Sequence, residues 1–167
     1  LAEITESNGF SNLTNYFIPL TLSLIPSLNK VKIFHKGFIN SHQYKSGTGV
    51  MTGFSAGIDS FCTIYDHLHR DIQDEYRITH FLFNNVGSHG DGEKGKELFN
   101  SRFNLIKGFC DEEGVPILKV NSNLSEILDL NFQLTHVVRN VSVALFLQGL
   151  IGKFYYASTF KYDDGYI

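Results

Sequence analysis

A chain of 167 residues with 43% hydrophobic and 19% charged residues has the composition of one globular domain, which excludes a disordered tail and leaves enough apolar surface for a core without staples. The formal net charge of −3 supplies no basic field for gripping a phosphate backbone, so a general nucleic-acid binder is not expected. Two cysteines, Cys62 and Cys110, are too few for a disulfide framework or a four-ligand zinc site and fit a reducing, cytoplasmic setting.

Residues 1–47 read as a small N-terminal appendage with no assigned chemistry. The apolar stretch from Phe17 to Leu28 is interrupted by Pro19 and Pro26 and lacks a basic leader, so neither a membrane span nor a signal peptide is expected. The chain opens at Leu1 without a methionine, and its start and end predict a piece of a longer protein.

From residue 48 a strand, turn and helix recur. Val50 to Phe54 is a short apolar run, and Phe61, Ile64, Tyr65 and Leu68 follow at helical spacing. Residues 78 to 86 form a second β-rich run, leading to a loop with Gly87, Gly90, Gly92 and Gly95. A helix then places Leu98, Arg102, Leu105, Ile106 and Phe109 on one face, with Gly114 as its C-terminal stop. Val115 to Val120 predicts a third strand. An apolar helix over about Val137 to Leu150, ended by Gly149 and Gly152, precedes a fourth strand from Phe154 to Ala157. Apolar strands alternating with helices predict an α/β domain over 48–167, a mainly parallel sheet covered by helices on both faces. Such sheets bind ligands at the carboxyl ends of their strands.

The sharpest signal is Phe54-Ser55-Ala56-Gly57-Ile58-Asp59-Ser60, between an apolar strand and an amphipathic helix. Small residues at Ser55, Ala56 and Gly57 let the backbone turn tightly and approach a ligand, and the start of a helix presents unpaired N–H groups and a positive dipole end. Ser55 and Ser60 add hydroxyl donors. Asp59 is awkward beside bare phosphate but suited to Mg2+ bridging phosphates, which favours a nucleotide. The plainer alternative is that Ser55 or Asp59 caps the helix. No Gly-Lys-Ser/Thr follows the strand and no G-x-G-x-x-G is present, so neither a Walker A loop nor a dinucleotide fingerprint is expected.

The segment resembles the PP-loop ATP pyrophosphatases, whose signature Ser-Gly-Gly-x-Asp-Ser follows the first strand of an adenine-nucleotide-hydrolase-like, Rossmann-like sheet. Gly57, Asp59 and the two serines match, and Ala56 stands in place of the first glycine. Within that family the chain is similar to the 7-cyano-7-deazaguanine synthases. Their Tyr-Gly-Gln-Arg-His loop and Glu-Leu helix start compare with Val86-Gly87-Ser88-His89 and Glu97-Leu98, and their Val-Pro-x-Arg-Asn helix start with Val137-Val138-Arg139-Asn140. The order of elements agrees over roughly 48–167. The resemblance implies cleavage of ATP between its α- and β-phosphates, adenylation of a carboxylate or carbonyl oxygen, and displacement of AMP by a nitrogen nucleophile. The family's C-terminal cysteine cluster for zinc has no counterpart here.

Other candidates follow from position. Arg139 is the candidate catalytic cation for the leaving pyrophosphate, or else an ordinary helix arginine. Asn84 at the end of the second strand, His89 in the glycine-rich loop and Ser158 after the fourth strand are candidate nucleotide contacts, with a turn-starting Asn84 and a solvated His89 as the plainer readings. Asp163, followed by Asp164, is a candidate second Mg2+ ligand or a solvated tail residue. Cys62, one turn into the helix after the loop, is a low-pKa thiol or, more plainly, core packing, and His67 and His69 point apart and fit the surface. The expected partner is a small-molecule or protein-borne carboxylate, with no membrane partner and self-association left open. A catalytically reduced ATP-binding module controlled by a partner, and another PP-loop branch acting in tRNA modification or amide transfer, are the alternatives to an adenylating enzyme.

Overall fold

Val50, Met51 and Thr52 are at most 1% exposed, which marks their strand as the centre of the sheet, buried on both faces. The computed structural model describes residues 45–90, 92–128 and 130–157, all but Lys45 within one compact unit of Ser46–Thr159. Four strands run in that unit: β1 (Gly49–Gly53), β2 (His80–Asn85), β3 (Ile117–Asn121) and β4 (Ile151–Tyr155). They form an all-parallel sheet of order β3-β2-β1-β4, with Met51 opposite His80 and Phe154, and Leu82 opposite Leu118.

The helices are α1 (Ile58–Ile64), continued by a π-helical turn over Tyr65–His69, then α2 (Gly92–Glu112), α3 (Leu124–Ile127) and α4 (Phe132–Phe146). Alternation along β2 sends Phe81 and Phe83 to one face, where they pack with Ile64, Phe99, Ile106 and Cys110 of α1 and α2. Leu82 goes to the other, with Met51, Val143, Ala144 and Ile151. Helices thus cover both faces, as the strand apolarity predicted. Burial of each such side chain contributes roughly 1.5–3 kcal/mol, so the two clusters dominate the stability of the unit.

Three expectations shift. The buried stripe of α2 is Gly95, Phe99, Ile106 and Cys110; of the expected face Ile106 and Phe109 do pack on the core, while Leu98 and Leu105 are exposed because the stripe is centred one position, a 100° rotation, further round the helix. The fourth helix starts five residues earlier than its apolar pattern indicated, because Asn131 caps it by accepting a hydrogen bond from Gln133 N at 2.8 Å. It ends at Phe146, and Gly152 lies inside β4, not at a helix end. There the backbone carbonyl of Gly47 passes so close that no Cβ fits on residue 152, and Gly47 itself abuts Leu150. Cys62 is exposed, against the core position expected of it, while Cys110 is buried and burial lifts its thiol to about 11. No helix among the described residues is long and apolar enough to cross a membrane.

Candidate functional site

In this sheet β2 flanks β1 on one side and β4 on the other, so the strand order reverses at β1. A crevice opens where chains leaving the carboxyl edge diverge, and that is where open α/β sheets take ligands. A cleft of about 650 Å³ lies there. The turn after β1 forms one wall through Phe54, Ser55, Ala56 and Gly57, with Asp59 and Ser60 from α1. Asn84 closes its floor at the end of β2, Ser88 and His89 come from the following loop, Arg102 from α2, Asn140 from α4, and Tyr156 from beyond β4.

The turn is strained. Ala56 sits at φ +59, the left-handed region, which costs a residue with a Cβ about 1–2 kcal/mol. Gly57 is the N-cap of α1 with no side-chain cap, and the Ser60 hydroxyl donates to Gly57 O at 2.7 Å, not to a ligand. Ser55 and Asp59 therefore do not take the capping role open to them, and the first N–H groups of α1 are left without side-chain partners. Ile58 contributes only backbone to this arrangement: its side chain is 83% exposed and lies in a shallow depression with Phe61, Cys62 and Tyr65.

Of the other candidates, Asn84 donates from Nδ2 to Asn140 Oδ1 at 2.9 Å, and Asn140 in turn donates to His136 O at 2.7 Å, so Asn84 is a held side chain in the cleft floor. His89 lies 3.0 Å from Ser88 Oγ and packs edge-on against Phe83 and Phe99. Burial, and secondarily the positive charge of Arg102, lower its pKa below 6.5. Ser158 and Asp163 lie outside the described residues. His67, expected at the surface, is half-buried and stacks on Tyr155 at 3.9 Å, with Nδ1 buried and unpartnered.

Arg139 has a different place from the one its sequence context implied. It is 2% exposed, does not line the cleft, and spends its guanidinium on protein acceptors. Nη1 donates to Val86 O at 3.0 Å and Ser125 Oγ at 3.1 Å, Nη2 to Leu130 O at 2.9 Å and Leu128 O at 3.4 Å, and Nε to Thr135 Oγ1 at 2.8 Å. With no donor left for a phosphate, it braces the loops at this edge. The cation facing the cleft is Arg102, which sequence reasoning placed on the apolar face of α2; the one-residue rotation of that face is the signal that was missed.

Asp59 is the only carboxylate in the cleft wall among the described residues, and no group of three or more His, Cys, Asp or Glu among them gathers into a metal site. One carboxylate does not by itself make a protein-held metal site. Comparison with protein-family models, with curated proteins and with solved structures yields no match to this chain.

Two predictions follow from these contacts. Arg139→Ala strands several buried carbonyls and should lower unfolding stability by at least about 3 kcal/mol in urea denaturation, where a catalytic arginine free of structural duty would leave it unchanged. Arg102→Gln removes a positive charge from beside His89 and should raise the His89 pKa, followed by NMR titration of its ring protons. In the native chain the lowered value makes the unfolded state bind more protons, so stability falls as pH drops below about 6.5; Arg102→Gln should flatten that fall.

Proposed function

We propose that the chain is an ATP-dependent enzyme of the PP-loop type, adenylating a carboxylate or carbonyl with release of pyrophosphate and followed by nitrogen transfer of the 7-cyano-7-deazaguanine synthase kind. The observation that carries this reading is the turn at Ala56: a left-handed non-glycine residue between β1 and an uncapped helix start, at the point where the sheet order reverses. Strain of this kind is retained where the surroundings enforce it, and functional sites are where it concentrates.

In this reading the backbone N–H groups after Gly57, the Ser55 hydroxyl and Arg102 face the phosphates, offsetting charge that grows on the leaving pyrophosphate. Asp59 meets the Mg2+ that accompanies them, which supplies charge neutralisation and alignment. Asn84, fixed by Asn140, and His89, neutral at pH 7 in its half-buried position, suit contacts to the uncharged part of the nucleotide. Tyr156 and Ala157 place the chain beyond β4 at the same cleft, where the acceptor carboxylate would approach.

A second reading, an ATP-binding module with reduced turnover acting under a partner, is favoured by one feature: Arg139, the cation the family pattern would offer to the leaving group, is fully engaged elsewhere.

Incubation of the chain with Mg-ATP, ammonia and a panel of small carboxylates, with AMP and pyrophosphate quantified, separates these readings. The enzyme reading predicts both products in equal amounts and a loss of about 100-fold or more in Asp59→Ala, whose circular dichroism stays native. ATP binding without products supports the module, and unchanged release by Asp59→Ala contradicts the assignment of Asp59.

A further inference from the structure

The second strand ends in two asparagines that open on different cavities. Asn84 lines the cleft already described, and Asn85 lines another of about 620 Å³ at the carboxyl edge of β2 and β3, which shares no lining residue with the first. The loop after β2 is the partition: Ser88 and His89 face the first cleft, Gly87 and Gly90 the second. A volume of this size is that of a small-molecule site.

Most hydrogen-bonding groups of the second cleft are neutral amides and hydroxyls, and their existing bonds show what remains for a ligand. Asn85 donates to Asn121 Oδ1 at 3.0 Å and its own Oδ1 accepts from Gly87 N at 3.3 Å and lies 3.4 Å from His89 Nδ1. Asn121 therefore keeps its amide hydrogens as donors. Ser122 Oγ accepts from Leu124 N and Ser125 Oγ from Arg139, which leaves both hydroxyl hydrogens to donate. Ser142 donates to Arg139 O at 2.7 Å and keeps lone pairs to accept. Asn123, although it stands at the N-cap of α3, makes no capping bond, and its amide offers both a donor and an acceptor.

Two charged residues, Lys96 and Glu126, are among the lining residues. Lys96 donates to Glu93 Oε1 at 2.7 Å, and Glu126 is the sole carboxylate among the described lining residues. Val120, Leu124 and Val143 give apolar walls, with the exposed ring of Phe146 at the mouth. Donors and acceptors side by side over an apolar wall match a neutral amide, and the Glu126 carboxylate among the lining residues disfavours an anion.

We propose that this second cleft binds an uncharged small molecule with an apolar ring face and an amide-type donor and acceptor pair. As a binding site it stands on this cavity and its lining, independently of the nucleotide reading given above.

The test is titration of the 15N-labelled chain with nicotinamide, and separately with nicotinate, which keeps the ring and replaces the amide by a carboxylate. Nicotinamide should give saturable shifts at the Asn121 and Asn123 side-chain amides and the Ser125 backbone amide, with nicotinate binding at least tenfold more weakly. Asn123→Ala, at an exposed position whose side chain makes no capping bond, should weaken nicotinamide about five- to tenfold, the worth of a neutral hydrogen bond. No saturable shift at these residues, equal or tighter binding of nicotinate, or an unaffected Asn123→Ala would each overturn the proposal. A parallel titration with Mg-ATP reports on Ser55 to Ser60 independently, so loss of the nucleotide reading and loss of this site are seen apart.

Discussion

The guanidinium of Arg139 holds the ligand edge of the sheet together. It is a buried charge whose hydrogen-bond partners are carbonyls and hydroxyls and not a carboxylate, and it lies over the Phe132 ring at 5.7 Å. Taking such a group from water costs several kcal/mol, and only a full set of oriented acceptors offsets it. Those acceptors come from the loop after β2, from α3, from the segment joining α3 to α4, and from α4 itself, so one side chain sets the relative position of four pieces of chain. Gly87 shows how tight the fit is: at φ +112 it runs so close to Ser125 and Arg139 that a Cβ would collide with both.

That brace gives the two clefts their common wall. Asn84 and Asn85 are consecutive, yet each is fixed by a different asparagine, Asn140 and Asn121, and each opens on its own cavity. The cleft beside the Ala56 turn is lined by Arg102, His89 and Asp59, whereas the cleft beyond Gly87 is lined mainly by amides and hydroxyls, with Lys96 and Glu126. The strained turn is the costly element of this edge, and the stability that tolerates it comes from the two aromatic and aliphatic clusters on either side of the sheet.

Much of the fold was legible in the sequence because buried parallel strands are continuous apolar runs, and the runs at Val50, Phe81 and Leu118 are β1, β2 and β3 within two or three residues. Gly114, read as a helix stop, does lie at φ +67 just past α2. The last helix and strand were displaced because apolarity alone located them, while their ends are set by the Asn131 cap and by the passage of Gly47 against Gly152, a long-range contact no local pattern carries. The turn from Ser55 to Ser60 was legible as a site since small residues at a strand-to-helix junction need few neighbours to explain them. The roles of the two arginines were not: nothing in the local sequence says that Arg139 meets Val86, 53 positions away, or that Arg102 sits on the cleft side of α2.

The central claim is that the turn between β1 and α1 receives nucleotide phosphate. The most direct measurement is a map of backbone amide shifts in the 15N-labelled chain on titration with Mg-ATP. The account predicts saturable shifts concentrated at Ala56, Gly57, Ile58, Asp59 and Ser60, with a smaller response at His89 as its ring meets new negative charge. Saturable binding that leaves those amides unmoved, or no binding at millimolar nucleotide, would contradict it and return the Ala56 turn to a purely structural role.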